Sequence, residues 1–157
     1  MTQPTDPLRF ERRPISDPLV AELLERYIAE IAGVIDGFDP AGAAPPEAAD
    51  FDPPAGVFLV GFAGAEPVAC GGIRRLSGEV AEIRRMWVSP MARGKGYGAV
   101  LLRALEDEAR AARYETVQLD THGGLSPALA LYTSAGYLEI ERYNDNAFAQ
   151  HFFAKQL

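Results

Sequence analysis

The sequence predicts one mixed α/β domain, built on a central, mostly antiparallel sheet of six to seven strands with flanking helices. Three observations carry this expectation. Between Val57 and Val88 three strand-like segments follow one another through short turns, the pattern of antiparallel neighbours. A glycine-rich turn and a long amphipathic helix come next, starting around Gly98. Beyond that helix Thr116 to Thr121 (TVQLDT) is again strand-like, and a helical crossover makes it parallel to the Ile83–Val88 strand. The 157 residues suffice for one core and not comfortably for two.

In chain order, Met1 to Pro7 is expected to fray, and Leu8 to Arg13 alternates briefly as a first strand. Ser16-Asp17-Pro18 opens a helix with an oxygen-bearing cap and a proline in the first turn. Leu19, Val20, Leu23, Leu24, Tyr27, Ile28 and Ile31 then recur at helical spacing, with Gly33 near the end. Gly37 to Gly56 is rich in Gly, Pro, Ala and Asp and has no periodicity. It reads as an irregular loop of about twenty residues, either a lid over a substrate or a surface excursion.

Val57 to Phe62 is a strand, Ala63 to Glu66 a hairpin connection, and Pro67 to Leu76 the return strand. Gly71-Gly72 within it predicts a bulge or a close backbone approach. Ser77-Gly78 turns the chain into a third strand, Glu79 to Val88, which stops at Ser89-Pro90. On the long helix Val100, Leu101, Leu102, Leu105, Ala109 and Ala112 form an apolar stripe, with Arg103, Glu106, Asp107 and Arg110 mostly opposite. After the parallel strand, Ser126-Pro127 starts a short helix that ends at Gly136. Tyr137 to Tyr143 and Ala149 to Lys155 are the last two strands.

Composition narrows the function classes. Fifteen basic against twenty-two acidic residues give a net charge of −7, which disfavours nucleic acid and mildly favours a cationic acceptor such as an amine. No apolar run approaches bilayer length and no hydrophobic leader opens the chain, so neither membrane insertion nor export is expected, and a cytoplasmic location is. The single Cys70 allows no internal disulfide and no cysteine-based metal site.

The chemistry concentrates in Arg93 to Gly98, RGKGYG. Glycine at 94, 96 and 98 allows close backbone approach and left-handed φ values. At a helix start the same segment offers unpaired N–H groups and the positive end of the helix dipole, a place for phosphates. A Walker-type loop is excluded, since its glycine spacing and Lys-Ser/Thr pair are missing. A dinucleotide fingerprint is a rival: Gly94, Gly96 and Ala99 satisfy G-x-G-x-x-G/A, and Asp120 stands where a ribose-binding acid belongs. Against it, five residues separate strand from first glycine, and antiparallel strands precede the turn.

The third reading is a pyrophosphate cradle. Arg93-x-x-Gly96-x-Gly98, following a strand that ends Val88-x-Pro90, closely resembles the acetyl-CoA motif of the GNAT superfamily of N-acyltransferases. Ala128 to Tyr137 (ALALYTSAGY) resembles that family's A-x-x-LY-x-x-x-GY/F segment. The element order agrees from about Leu8 to the C-terminus, so the resemblance covers nearly the whole chain.

The resemblance implies an acyltransferase that moves the acetyl group of acetyl-CoA to a primary amine of a small molecule or peptide, by direct attack in a ternary complex. Trp87 and Val88 would pair with the pantetheine arm through their backbone, and Arg93, Gly94, Lys95, Gly96, Tyr97 and Gly98 would hold the pyrophosphate. Tyr132 occupies the general-acid position, its alternative being an ordinary core aromatic. Glu82, eleven positions before Arg93, matches the glutamate base of the histone-acetylating members. The alternative is a pairing with Arg74, Arg75 or Arg84. His122 and His151 are further base candidates. The likeness departs at Leu125, where many relatives carry Asn or a similar polar residue; Ser126 could substitute. A homodimer is compatible with this reading. An acyl-CoA-binding sensor without turnover is the alternative from another class, because fold does not fix function.

Overall fold

The computed structural model describes residues 7–38, 48–122 and 126–157. The expectations for Leu125 and for 39–47 of the long loop fall outside the described residues. Seven strands form one sheet in the order β1-β2-β3-β4-β5-β7-β6. They are β1 (Leu8–Arg12), β2 (Val57–Ala63), β3 (Glu66–Ser77), β4 (Val80–Val88), β5 (Thr116–Thr121), β6 (Leu138–Ile140) and β7 (His151–Gln156). The helices are α1 (Pro18–Val34), α2 (Tyr97–Ala111) and α3 (Ser126–Ser134). Among the described residues, no helix is long and apolar enough to cross a membrane.

Local chemistry explains the first helix. The Asp17 carboxylate accepts the Leu19 N–H at 2.8 Å, satisfying one of the donors a helix start leaves open, and Pro18 begins the first turn. Its stripe then buries Val20 and Leu23 against Phe58, Val60, Cys70 and Trp87 on one face of the sheet. The opposite face carries the larger core, where Leu101, Leu102, Leu105 and Ala109 of α2 meet Ile73, Ile83, Val117 and Leu119. Tyr132 of α3 and Tyr137 just beyond it join that second layer.

The α2 stripe differs from expectation at two positions. Val100 is exposed, whereas Glu106, expected on the polar side, is only 4% exposed. Its carboxylate accepts the Tyr137 hydroxyl at 2.9 Å and the Lys155 ammonium at 3.1 Å, so a buried charge is paired and hydrogen-bonded. Lys155 arrives on β7, far along the chain, and periodicity on one helix could not announce it.

Gly71 and Gly72 are places of close approach. A side chain at Gly72 would meet the Phe51 and Phe58 rings at 2.6–2.8 Å. The bulge itself lies on the facing strand: Cys70 pairs with Trp87 and Gly72 with Arg84, so Arg85 and Met86 of β4 stand opposite Gly71 alone. At the C-terminal end, the strand expected over Tyr137–Tyr143 shortens to three residues at the sheet edge. The last strand inserts between it and β5.

Candidate active site

Two features of β4 open the sheet. Its parallel ladder with β5 holds three pairs only, Val80 with Thr116, Ala81 with Val117 and Glu82 with Gln118. Beyond them β4 continues to Val88, bent by the bulge, and the two strands part. The wedge leaves the β5-facing edge of β4 available as a pairing template for an extended ligand. A cavity of about 360 Å³ occupies this region, lined by Ile83, Met86 and Leu119 among the strands, by Tyr27 and Ile31 of α1, and by Tyr132. That volume suits a small molecule.

Tyr132 reaches the wedge from α3. It is 7% exposed, and its hydroxyl lies 3.9 Å from the Met86 sulfur at the bulge. Tyr137 packs edge-on at 5.9 Å and Phe153 packs at the same centroid distance, fixing the ring. Burial pushes its phenol well above the usual tyrosine value, so it stays a proton donor through neutral pH.

The glycine-rich turn follows the end of β4 and leads into α2, and none of its residues is among those that line the cavity. Gly94 and Gly96 have φ of 80° and 79°, and a Cβ at either would meet nothing within 4 Å; their glycines answer to backbone conformation, not to crowding. Gly96 caps α2, whose first turn contains no acidic residue. Gly98 sits where a Cβ would come within 3.2 Å of a Leu131 methyl, seating α2 against α3. Arg93 and Lys95 are exposed, whereas the Tyr97 ring is buried in the core and offers the turn only its backbone.

Sequence reading missed Glu30 here. Its carboxylate accepts the Trp87 indole N–H at 3.2 Å and pairs with the Arg93 guanidinium, tying α1 to the turn. The Arg93 Nε also donates to the Val88 carbonyl at 3.0 Å. Trp87, Val88 and Arg93 are thus brought together. The Val88 carbonyl, however, is engaged by a side chain rather than offered to solvent.

Glu82 occupies the last rung before the strands part and is 1% exposed. It accepts from Arg74 Nε at 2.9 Å and from the Tyr143 hydroxyl at 2.7 Å, with Arg84 Nε at 3.7 Å. It is not among the residues that line the cavity. Arg74 and Arg84 are therefore its partners as the alternative reading had it, while Arg75 lies over the Tyr114 ring. His122 does line the cavity, and His151 instead pairs with Glu139 at 2.6 Å, away from it.

Asp120 lines the cavity too, accepting from Arg84 at 3.3 Å, from Asn144 and from Asn146 at 3.2 Å. Those bonds, with a sheet parallel only at β4–β5, remove the dinucleotide reading, which requires a doubly wound parallel sheet. Asn144 and Asn146 were legible only as a turn; their role depends on β7 returning beside β5.

Cys70 is fully buried, its Sγ 3.6 Å from the Arg85 carbonyl, and burial pushes the thiol up to about 12. A group whose folded pKa is raised keeps its proton in the fold and loses it first in the unfolded chain, so stability falls as pH rises between the two values. Unfolded cysteine titrates near about 8.5 and tyrosine near about 10. Tyr27, Tyr132, Tyr137 and Tyr143 are all shifted upward by burial. From these groups the melting temperature is expected to be level between neutral pH and about pH 8.5 and to fall above it. Cys70→Ala should delay the onset to about pH 10; an onset unmoved in that variant would sink the assignment.

Comparison with known proteins agrees with this architecture. The model of the acetyltransferase (GNAT) family matches residues 23–137. An IAA acetyltransferase of Azospirillum brasilense is 39% identical over 83 residues, 52% of this chain and 54% of that protein. The chain thus spans about half the length of this curated relative. The crystal structure of a GNAT-family acetyltransferase from Staphylococcus aureus Mu50 matches with a TM-score of 0.81 at 16% identity, over 96% of this chain and 99% of the other. A Bacillus subtilis acetyltransferase solved in complex with CoA matches with a TM-score of 0.66 at 16% identity, over 96% and 99%. At such identities the likeness is one of fold.

Proposed function

The chain belongs to the GNAT acetyltransferase family, and from that premise we propose that it transfers the acetyl group of acetyl-CoA to an amine held in the wedge between β4 and β5. The observation that carries this is the approach of the Tyr132 hydroxyl to Met86 of the bulged strand, with the left-handed glycines Gly94 and Gly96 between the end of that strand and the start of α2. The donor set fits the cofactor: left-handed glycines, exposed Arg93 and Lys95, and an α2 start without carboxylates. The CoA bound to the Bacillus subtilis protein supports the same ligand class here.

Acetyl-CoA supplies an activated thioester. The N–H groups from Gly94 to Gly98 and the two cations hold the diphosphate, and Glu30 must share Arg93 with it. The open edge of β4 pairs with the pantetheine arm. In the transfer the C–N bond forms as the C–S bond breaks, the amine proton passes to a base, and Tyr132 protonates the departing sulfur. Its raised pKa keeps the proton in place until then. Of the groups with basic character that line the cavity, Asp120 is committed to Arg84, Asn144 and Asn146. We choose His122 as the base because its imidazole lines the cavity and can accept a proton. Glu82, buried against Arg74 and Tyr143, serves in this reading to fix the apex of the wedge, or takes the proton only by relay through Tyr143.

Acetyl-CoA at about 100 times its Kd is expected to stabilise the fold by about 2.7 kcal/mol, a rise of roughly 5–10 °C in Tm, while NAD at equal concentration has no effect. Gly96→Val strains a left-handed position and obstructs the cradle. It should weaken acetyl-CoA binding about 10- to 100-fold. Undiminished affinity in this variant would contradict the cradle.

A further inference from the structure

Glu30 puts a carboxylate beside a turn whose other features suit an anion. The first turn of α2 holds no acidic residue, and Arg93 and Lys95 are exposed. A carboxylate there repels a phosphate and occupies a cation that the phosphate would use. One oxygen of Glu30, Oε1, accepts both the Trp87 indole N–H at 3.2 Å and the Arg93 guanidinium. The Arg93 Nε stays on the Val88 carbonyl at 3.0 Å, so one guanidinium is divided between β4 and α1. The paired side chains are 48% and 27% exposed, and ion pairs so open to water contribute little to stability. A diphosphate, more highly charged than one carboxylate, therefore competes well for the same N–H groups. Glu30 also stands where α1 changes its surroundings. The first half of the helix buries Val20 and Leu23 against the sheet. Farther on, Tyr27, Ile28 and Ile31 line the cavity and pack against open space. A helix segment of that kind opens more easily than a core one, and the tie at Glu30 restrains it.

We propose that Glu30 is a latch between the cofactor turn and the acceptor cavity. It holds Arg93 to α1 while the turn is empty and yields the guanidinium to a diphosphate, so that filling the turn loosens the α1 wall of the cavity. Glu30 then keeps the Trp87 indole as its partner and gives up the cation. The coupling is reciprocal: whatever holds α1 to Arg93 weakens diphosphate binding by the same factor by which the diphosphate weakens that hold. The latch rests on the acyl-transfer reading for the identity of the natural ligand, acetyl-CoA, but the exchange at Arg93 needs only a diphosphate and is testable without turnover.

The experiment uses the full chain. Inorganic pyrophosphate is the first probe, since it carries the diphosphate without the adenine or the pantetheine arm. Trp87 is the protein's single tryptophan and shares Glu30 with Arg93, so its fluorescence reports the exchange. Pyrophosphate is expected to change the wild-type emission and to speed amide hydrogen exchange over residues 27–34 about 3-fold or more. Glu30→Gln keeps an oxygen for the indole N–H and gives up the charge. This variant should exchange fast without ligand, and neither its emission nor its exchange should respond to pyrophosphate. Acetyl-CoA affinity, measured calorimetrically, should rise about 3- to 10-fold in Glu30→Gln, but by less than about 2-fold when the same change is made in the Arg93→Met background. That comparison separates competition for Arg93 from general repulsion between carboxylate and phosphate. Slower or unchanged exchange in the wild type with pyrophosphate, wild-type acetyl-CoA affinity in Glu30→Gln, or an equal gain in the Arg93→Met background would overturn the proposal. Pyrophosphate effects that Glu30→Gln abolishes uphold the latch even if acetyl-CoA binds no protein in the set, a result that counts instead against the proposed function.

Discussion

Tyr132→Phe is expected to lower kcat about 10²- to 10⁴-fold while leaving acetyl-CoA affinity and Tm nearly unchanged. The variant deletes one oxygen from a ring fixed by Tyr137 and Phe153, and that oxygen's recorded contact is a 3.9 Å approach to the Met86 sulfur. Little stability is therefore at stake, and a lost rate reads directly as a lost proton donor. Because burial lifts the phenol above its ordinary value, the wild-type pH–rate profile should show no alkaline limb from Tyr132 below about pH 10. The base is tested separately: His122→Asn should lower kcat about 10²- to 10⁴-fold, and Glu82→Gln should lower it less. Wild-type turnover in Tyr132→Phe removes the tyrosine from the mechanism. No turnover in any protein, with acetyl-CoA still bound, leaves an acyl-CoA-binding module in place of an enzyme.

Glu106→Ala should cost about 3 kcal/mol, near 6–12 °C in Tm for a chain of this size. The carboxylate is 4% exposed and is the common acceptor for Tyr137 and Lys155. Its removal leaves the ammonium and the hydroxyl without that partner beneath α2. The figure is taken at the low end because the Lys155 side chain is 23% exposed and can recover some solvent. A diagnostic companion is Glu106→Leu with Lys155→Met, which removes both charges together and should be more stable than Glu106→Ala alone. If the pair is no better than the single variant, the loss comes from packing and not from an orphaned charge.

The differences between expectation and structure have one character. Regular segments were legible: the Asp17-Pro18 start of α1, the apolar run of β2 and the full span of β5 each depend on neighbours within a few residues. Arg93 to Gly98 was legible because its constraint is a backbone one, and only glycine meets it at positions 94 and 96 without strain. Glu106 was misplaced because its partner lies 49 residues away on a strand whose position in the sheet is not encoded locally. Glu82 could be matched by position, yet its partners Arg74 and Tyr143 come from a hairpin and from the segment before β7. Arg85 gave no signal, since a bulge is a mismatch between two strands and is invisible in either one.

By itself, then, the sequence determined the elements, the crossover that makes β5 parallel to β4, and the glycine-rich turn at the start of α2. These follow from periodicity, capping and glycine φ, which act over a few residues. Only the tertiary structure decided that β7 enters between β5 and β6, that β4 and β5 part after three pairs, and that Arg84, Arg85, Asp120, His122 and Tyr132 face one cavity. Strand order and register are set by the burial of whole faces against one another, and that free energy belongs to the packed sheet rather than to any stretch of chain.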